Sequence, residues 1–239
     1  MWEQLKSQVA EANRRLMSEG LVTLTWGNVS AISEDRKAVA IKPSGVPYGR
    51  LIPDDIVVVG LNGDILEGQL RPSTDTPTHL AIYRAFERVR GICHTHSRFA
   101  TVFSQARQEI PCFGTTHADY FCGPVPVTRA LSSTEVEEDY ELNTGKIIVE
   151  RFRVGGLDPL VTPGVLVAGH GPFTFGQSPD EAVDHAVALE AMLEEVAALA
   201  WHLLLLESEP SQIEGYILQK HYQRKHGPKA YYGQKDQKV

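Results

Sequence analysis

Two histidines one residue apart, in His94-Thr95-His96, are the first place where this chain could do chemistry. Side chains two positions apart on a strand point to the same face, so both imidazoles can reach one ion. The pair alone has two readings. Imidazole is a frequent metal ligand, but two histidines at a strand end can also be hydrogen-bonded core residues. His170 tips the balance. It sits in Ala168-Gly169-His170-Gly171-Pro172, directly after an apolar run, where sheet enzymes place ligands and catalytic groups. Glycines on both sides let other groups approach it. Three imidazoles leave one coordination position open, as a catalytic zinc site does. Asp75 is placed to add a carboxylate or to support a ligand from behind. The donor set favours Zn2+, and also suits Mn2+, iron or Co2+. His117 and His226 are weaker candidates, His79 and His185 read as helix residues without a role, and His202 as a packing residue.

Three short loops add a second kind of chemistry. They are Thr25-Trp26-Gly27-Asn28, Lys42-Pro43-Ser44-Gly45 and Arg71-Pro72-Ser73-Thr74-Asp75. Each offers backbone amides, and two add hydroxyls and a nearby cation, which together suit a phosphate. Each alone also reads as ordinary β-turn chemistry. What connects them is that all three precede the histidine pair.

The elements that must position these groups follow from periodicity. Residues 2–19 carry Leu5, Val9, Ala12 and Leu16 at helical spacing, with Gly20 as C-cap. Strands are expected at 29–33 and 38–42, and at 56–59 and 65–66 around a hairpin turn at Asn62-Gly63. Helices are expected at 78–88, at 99–106 and at 134–152, where Gly145 is a weak point. Strands are expected at 91–96 and at 164–168. Ser178 and Pro179 open a helix running to about Leu205, as N-cap and first helical residue. A last helix covers 212–225, and 233–239 is a polar tail expected to fray. No repeat or long linker interrupts the chain, so a single α/β domain over 1–239, a central sheet flanked by helices, is the simplest reading.

Composition bounds the partners. The chain has 239 residues and a mass of 26.4 kDa, enough for a sizeable core. A net charge of −7 argues against nucleic acid, because a backbone binder normally presents a basic surface. An anionic small molecule is still admissible, since a few local cations and amides can hold one phosphate. The longest apolar stretch, 197–206, is interrupted by His202 and is too short for a membrane span. Met1 to Lys6 begins an amphipathic helix, not a basic and then apolar leader. Cys93, Cys112 and Cys122 have no metal-like spacing, and a reducing cytoplasm fits them best.

In order along the chain, these segments resemble the class II aldolase family. The resemblance runs from Leu21-Val22-Thr23-Leu24-Thr25-Trp26-Gly27-Asn28-Val29-Ser30 through Ile41-Lys42-Pro43-Ser44-Gly45, Asp75-Thr76-Pro77-Thr78-His79 and His94-Thr95-His96-Ser97. It continues through Gly114-Thr115-Thr116-His117-Ala118-Asp119-Tyr120 and Pro163-Gly164-Val165-Leu166 to Lys220-His221-Tyr222 and Ala230-Tyr231-Tyr232-Gly233. Aldolases of the family usually carry glutamate where this chain has Asp75, whereas its epimerases have aspartate. The 116–120 and 225–233 segments also look like the epimerases. One departure is Thr74, where the epimerase pattern has a second serine.

The resemblance implies a mostly antiparallel sheet and inversion of C4 of a ketopentose phosphate by retro-aldol and aldol steps. It implies a zinc site of His94, His96 and His170 with Asp75 beside them. It assigns Gly27, Asn28, Lys42, Ser44, Gly45, Ser73 and Thr74 to the substrate pocket, and Asp119 and Tyr232 to acid/base work. His221 is implied to reach the site of a neighbouring subunit in a homotetramer, with 212–239 packing on that neighbour. Two other readings stand beside it: a sugar-phosphate aldolase of the fuculose or rhamnulose phosphate type, and a non-catalytic interaction module on the same fold.

Overall fold

The computed structural model describes residues 2–205, 211–228 and 230. Seven strands form one sheet: β1 (Asn28–Ile32), β2 (Ala38–Ile41), β3 (Val57–Gly60), β4 (Ile65–Glu67), β5 (Gly91–His94), β6 (Gly164–Leu166) and β7 (Pro172–Gly176). Their spatial order is β4-β3-β2-β1-β5-β7-β6, and every neighbouring pair is antiparallel. The helices are α1 (Glu3–Ser18), α2 (Thr76–Ala85), α3 (Arg98–Ala106), α4 (Thr115–Ala118), α5 (Ser133–Gly155), α6 (Pro179–Leu205) and α7 (Gly215–His226).

The sheet is covered on both faces, which is why its central strands are buried at every position. Val39, Val57, Val59, Ile92, Phe173 and Phe175 point to one side, against Leu80, Ile82 and Tyr83 of α2 and Ile147, Ile148 and Phe152 of α5. Residues of opposite parity, such as Val29, Cys93, Ala38, Ala40 and Val58, meet α1 and α6 on the other side. This alternation is the two-residue period of a strand expressed as two separate cores. The expected α/β domain with a central antiparallel sheet is therefore present.

Several boundaries differ from the sequence reading. The strand expected at 91–96 ends at His94, because residues 95–97 form the turn into α3. Glu190 of α6 accepts hydrogen bonds from Phe99 N and Ala100 N there, at 2.7 and 3.0 Å, so a carboxylate satisfies two of the helix's free N–H groups. The strand expected at 164–168 stops at Leu166. β7, which the sequence reading left out, returns beside it and holds His170 in the intervening turn. α2 starts and ends earlier than expected, at Thr76 and Ala85. The cap at Ser178 is as expected, its hydroxyl accepting from Glu181 N at 3.1 Å. Among the described residues no helix is long and apolar enough to cross a membrane.

Candidate active site

The ends of β1, β5 and β7 meet at one place, because Asn28 pairs with His94 and His94 with Phe173 in the ladder. His94 is buried and stacks on Phe173, with ring centroids 4.1 Å apart. His96 lies two residues past it, in the turn, and His170 in the β6–β7 turn. That turn is closed by Val167 N donating to Gly171 O and His170 N to Val167 O, each at 2.9 Å. One potential ligand atom from each of His94, His96 and His170 lies within 4.8 Å of the other two. The expected histidine set is thus assembled, although only His94 stands on a strand.

The chemistry of this set fits a metal. His94 Nδ1 lies 2.9 Å from the Pro172 carbonyl, which can only accept, so Nδ1 donates there and Nε2 is the nitrogen left to face a metal. Burial, and then the neighbouring His94 and His96, push His170 down to about 3. Burial, and then His94, lower His96. Both rings are therefore neutral near pH 7, the form that ligates. Asp75 lies outside this three-residue set. Its carboxylate accepts from Asn28 Nδ2 at 2.6 Å and from Ser73 Oγ at 3.4 Å. Burial would raise it, but His94, His79 and the Asn28 amide hold it below the usual carboxylate range.

His96 and His170 open onto a pocket of about 580 Å³. All the expected substrate-binding residues line it: Gly27, Asn28, Lys42, Ser44, Gly45, Ser73 and Thr74, together with Asp75, His96 and His170. The second and third loops are tied to each other by Ser44 N to Arg71 O and Ser73 N to Lys42 O, both 3.0 Å. Gly27 has φ of +83°, and a Cβ there would sit 2.7 Å from the His94 carbonyl, so the first loop can approach β5 only through glycine. Asn28 Oδ1 is buried and has no hydrogen-bond partner among the described residues. Lys42 is 1% exposed; its ammonium donates to the Pro43 carbonyl at 3.3 Å and lies over the Tyr48 ring. Among the described residues no carboxylate forms an ion pair with it. The buried cation would be completed by an anionic group and the buried amide oxygen by a hydroxyl donor, so a ligand carrying both suits this pocket.

Two of the expected catalytic residues, Asp119 and His221, are not in this pocket. Asp119 and His221 meet each other elsewhere, Asp119 Oδ1 lying 3.1 Å from His221 Nδ1. Arg224 grips the same carboxylate through both oxygens, at 3.1 and 2.6 Å. Burial would raise Asp119, but Arg224 and His221 hold it below the usual carboxylate range. Tyr232 lies outside the described residues. Conversely, Tyr140 and Glu141 of α5 line the pocket and were missing from the sequence reading. They enter it because the helix breaks at Asp139, with φ −166° and ψ 89°. Asp139 Oδ1 then accepts from Leu142 N at 3.1 Å and recaps the helix, a cap signature hidden within an unbroken helical pattern.

Fold and site together define an antiparallel-sheet domain with a three-histidine centre able to hold a metal beside a pocket suited to an anion. Residues 7–196 match the family described as class II aldolase and adducin N-terminal domain, and the chain belongs to that family. It is 52% identical over 233 residues to the L-ribulose-5-phosphate 4-epimerase UlaF of Salmonella paratyphi B, covering 98% of this chain and 100% of that protein. Among solved structures, an L-fuculose 1-phosphate aldolase superposes with a TM-score of 0.74 at 23% identity, covering 92% of this chain and 95% of the other. The L-fuculose-1-phosphate aldolase of Thermus thermophilus is similar at a TM-score of 0.64 and 27% identity, covering 87% of this chain and 100% of the other.

Proposed function

We propose that this protein is an L-ribulose-5-phosphate 4-epimerase that interconverts L-ribulose 5-phosphate and D-xylulose 5-phosphate. The observation that carries the reading is that two imidazoles of a three-histidine cluster line one pocket with a buried ammonium that has no carboxylate partner among the described residues. The 52% identity to an epimerase along the whole chain supports the particular substrate.

His94, His96 and His170 would hold zinc, with Asp75 beside them. When bound, zinc supplies a Lewis acid that stabilises negative charge developing on the ketose oxygens. The C4 hydrogen is not α to the C2 carbonyl, so direct deprotonation there is unfavourable and a retro-aldol route serves instead. A base removes the C4 hydroxyl proton, the C3–C4 electron pair moves toward C3 and C2, and C4 becomes an aldehyde carbon. Lys42, Asn28, Ser44, Ser73, Thr74 and the Gly27 and Gly45 amides would keep the phosphorylated fragment bound while its aldehyde turns to present the other face. Bond formation then gives the inverted centre. Asp119 and Tyr232 would exchange the proton on opposite faces. Since Asp119 and His221 lie outside their own chain's pocket, they would serve the pocket of a neighbouring protomer in a homotetramer, with 212–239 at the contact. A cytoplasmic location agrees with such a substrate.

Incubation of the zinc-loaded protein with L-ribulose 5-phosphate should yield D-xylulose 5-phosphate. The aldolase structures that superpose on this chain favour a second reading. Steady release of glycolaldehyde phosphate and a three-carbon ketone, without inversion, would establish that reading and sink the epimerase.

A further inference from the structure

We propose that Tyr140 is a positioning residue for His170, its phenol oxygen accepting a hydrogen bond from the His170 Nδ1–H so that Nε2 is left to bind metal. The inference rests on the metal reading of the histidine cluster. Tyr140 Oη lies 3.2 Å from His170 Nδ1, and the two rings are 6.0 Å apart at an interplanar angle of 33°. His94 receives the equivalent support from the Pro172 carbonyl. An imidazole that ligates through one nitrogen needs its other nitrogen held, or the ring turns and the tautomer is not fixed. The β6–β7 turn supplies no such group to His170; Tyr140 comes from α5, a different element.

The tyrosine is held in place from three directions. Its carbonyl accepts from Thr144 Oγ1 at 2.8 Å, and the next carbonyl, of Glu141, accepts from Thr78 Oγ1 of α2 at 2.5 Å. At Gly145, one turn further on, α5 approaches α2 so closely that a Cβ would lie 2.7 Å from Ala81 Cβ and 2.9 Å from Thr78 O. The break at Asp139 frees the first turn of this helical segment to face the pocket. The helix α2 that follows Asp75 therefore also fixes the phenol over His170, so both ends of the cluster are set by one helix pair. A tyrosine that only filled space would not need its hydroxyl.

Tyr140→Phe separates these roles, because it keeps the ring and deletes the hydroxyl. Cobalt(II) is the probe, since its visible absorption reports ligand geometry without reference to turnover. The wild type should take up one cobalt per chain, and His170→Asn should lose it. Tyr140→Phe should take up cobalt with an altered visible spectrum and release it to a chelator about 10- to 100-fold faster, the range for losing a ligand's outer hydrogen-bond partner. Its melting temperature without metal should match the wild type. An unchanged spectrum and release rate in Tyr140→Phe would overturn this role for Tyr140 while leaving the metal site standing. A wild type that takes up no cobalt or zinc would overturn the metal reading, and this inference with it.

Discussion

Lys42 is the side chain whose burial asks most for a ligand. An ammonium taken out of water without a counter-charge is costly, and burial lowers Lys42 to about 8. Lys42→Met should raise the stability of the ligand-free protein by about 1–3 kcal/mol, while raising KM for the sugar phosphate about 10- to 100-fold. The pH dependence has a definite sign. The unfolded lysine titrates near 10.4, so between about 8 and that value the unfolded chain binds the extra proton and wild-type stability rises with pH. Over the same range the anion loses its cation and binds more weakly. Melting curves from pH 7 to 10, with and without inorganic phosphate, should show both trends in the wild type and neither in Lys42→Met. Identical profiles for the two proteins would remove Lys42 from the phosphate site. His117 gives a limb of the same sign at low pH. Its Nε2 faces the Gly123 carbonyl at 2.8 Å, its Nδ1 is buried without a partner among the described residues, and burial pushes it down to about 4. The stability this confers is complete above pH 6.5, where both states are neutral, and is lost as pH falls toward 4, by roughly 3 kcal/mol in all. His117→Gln should therefore flatten the acid limb of urea unfolding between pH 7 and 4.5. An unaltered slope would show that the ring titrates freely in the folded protein.

At the scale of elements, α5 shows how two local effects are decided by magnitude. An alanine in a helix is better than glycine by about 1 kcal/mol, so Gly145→Ala would stabilise an isolated helix. Here the added Cβ would meet Ala81 Cβ at 2.7 Å and Thr78 O at 2.9 Å, both on α2. Overpacking at that distance costs about 1–3 kcal/mol, so the substitution should lower stability by thermal denaturation and loosen Tyr140. A stabilised Gly145→Ala protein would mean that α2 and α5 do not need their close approach. The same residue shows what the sequence made legible. Gly145 was readable as a weak point of the helix, but its role is contact, and the break lies at Asp139, where nothing in the apolar pattern changes. β7 was missed for a related reason. It begins at Pro172, after two glycines that read as loop, and its Phe173-Thr174-Phe175 run is shorter than a strand needs to stand out. The candidate metal ligands were legible because their type is rare and their spacing informative. His94, His96 and His170 meet although the strand carrying the pair ends at His94, since the turn into α3 still aims His96 inward. Tyr140 was not legible, because its partner is thirty residues away and nothing local marks a pocket-facing tyrosine.

At the scale of the whole molecule, the proposed catalytic residues are not gathered in one pocket of the described chain. The pocket holds His96, His170 and Lys42, whereas Asp119 sits apart with His221 and Arg224, already ionised by them. An ionised carboxylate held by a guanidinium is a preorganised proton acceptor, but it can act only where a substrate hydroxyl comes within hydrogen-bond reach. The proposed homotetramer would satisfy this, if each heterologous contact brought the Asp119 surface of one protomer to the pocket of the next. Two variants then become complementary. His96→Asn should lose metal and activity but keep Asp119. Asp119→Asn should keep its metal and pocket, with turnover lowered by about 10²- to 10⁴-fold. If the chains are mixed, unfolded together and refolded in equal amounts, some contacts join an intact pocket from one chain to an intact Asp119 from another. Random assembly makes such sites on the order of one quarter of the total, and turnover should recover to about that fraction of wild type. Each variant refolded alone should stay inactive. If Asp119 instead served its own pocket, every site in the mixture would lack one component, and the mixture would be no more active than its parents. Recovery near zero, with mixed oligomers demonstrated by mass, would therefore return Asp119 to its own chain's pocket and require a rearrangement of the 107–125 segment that carries it.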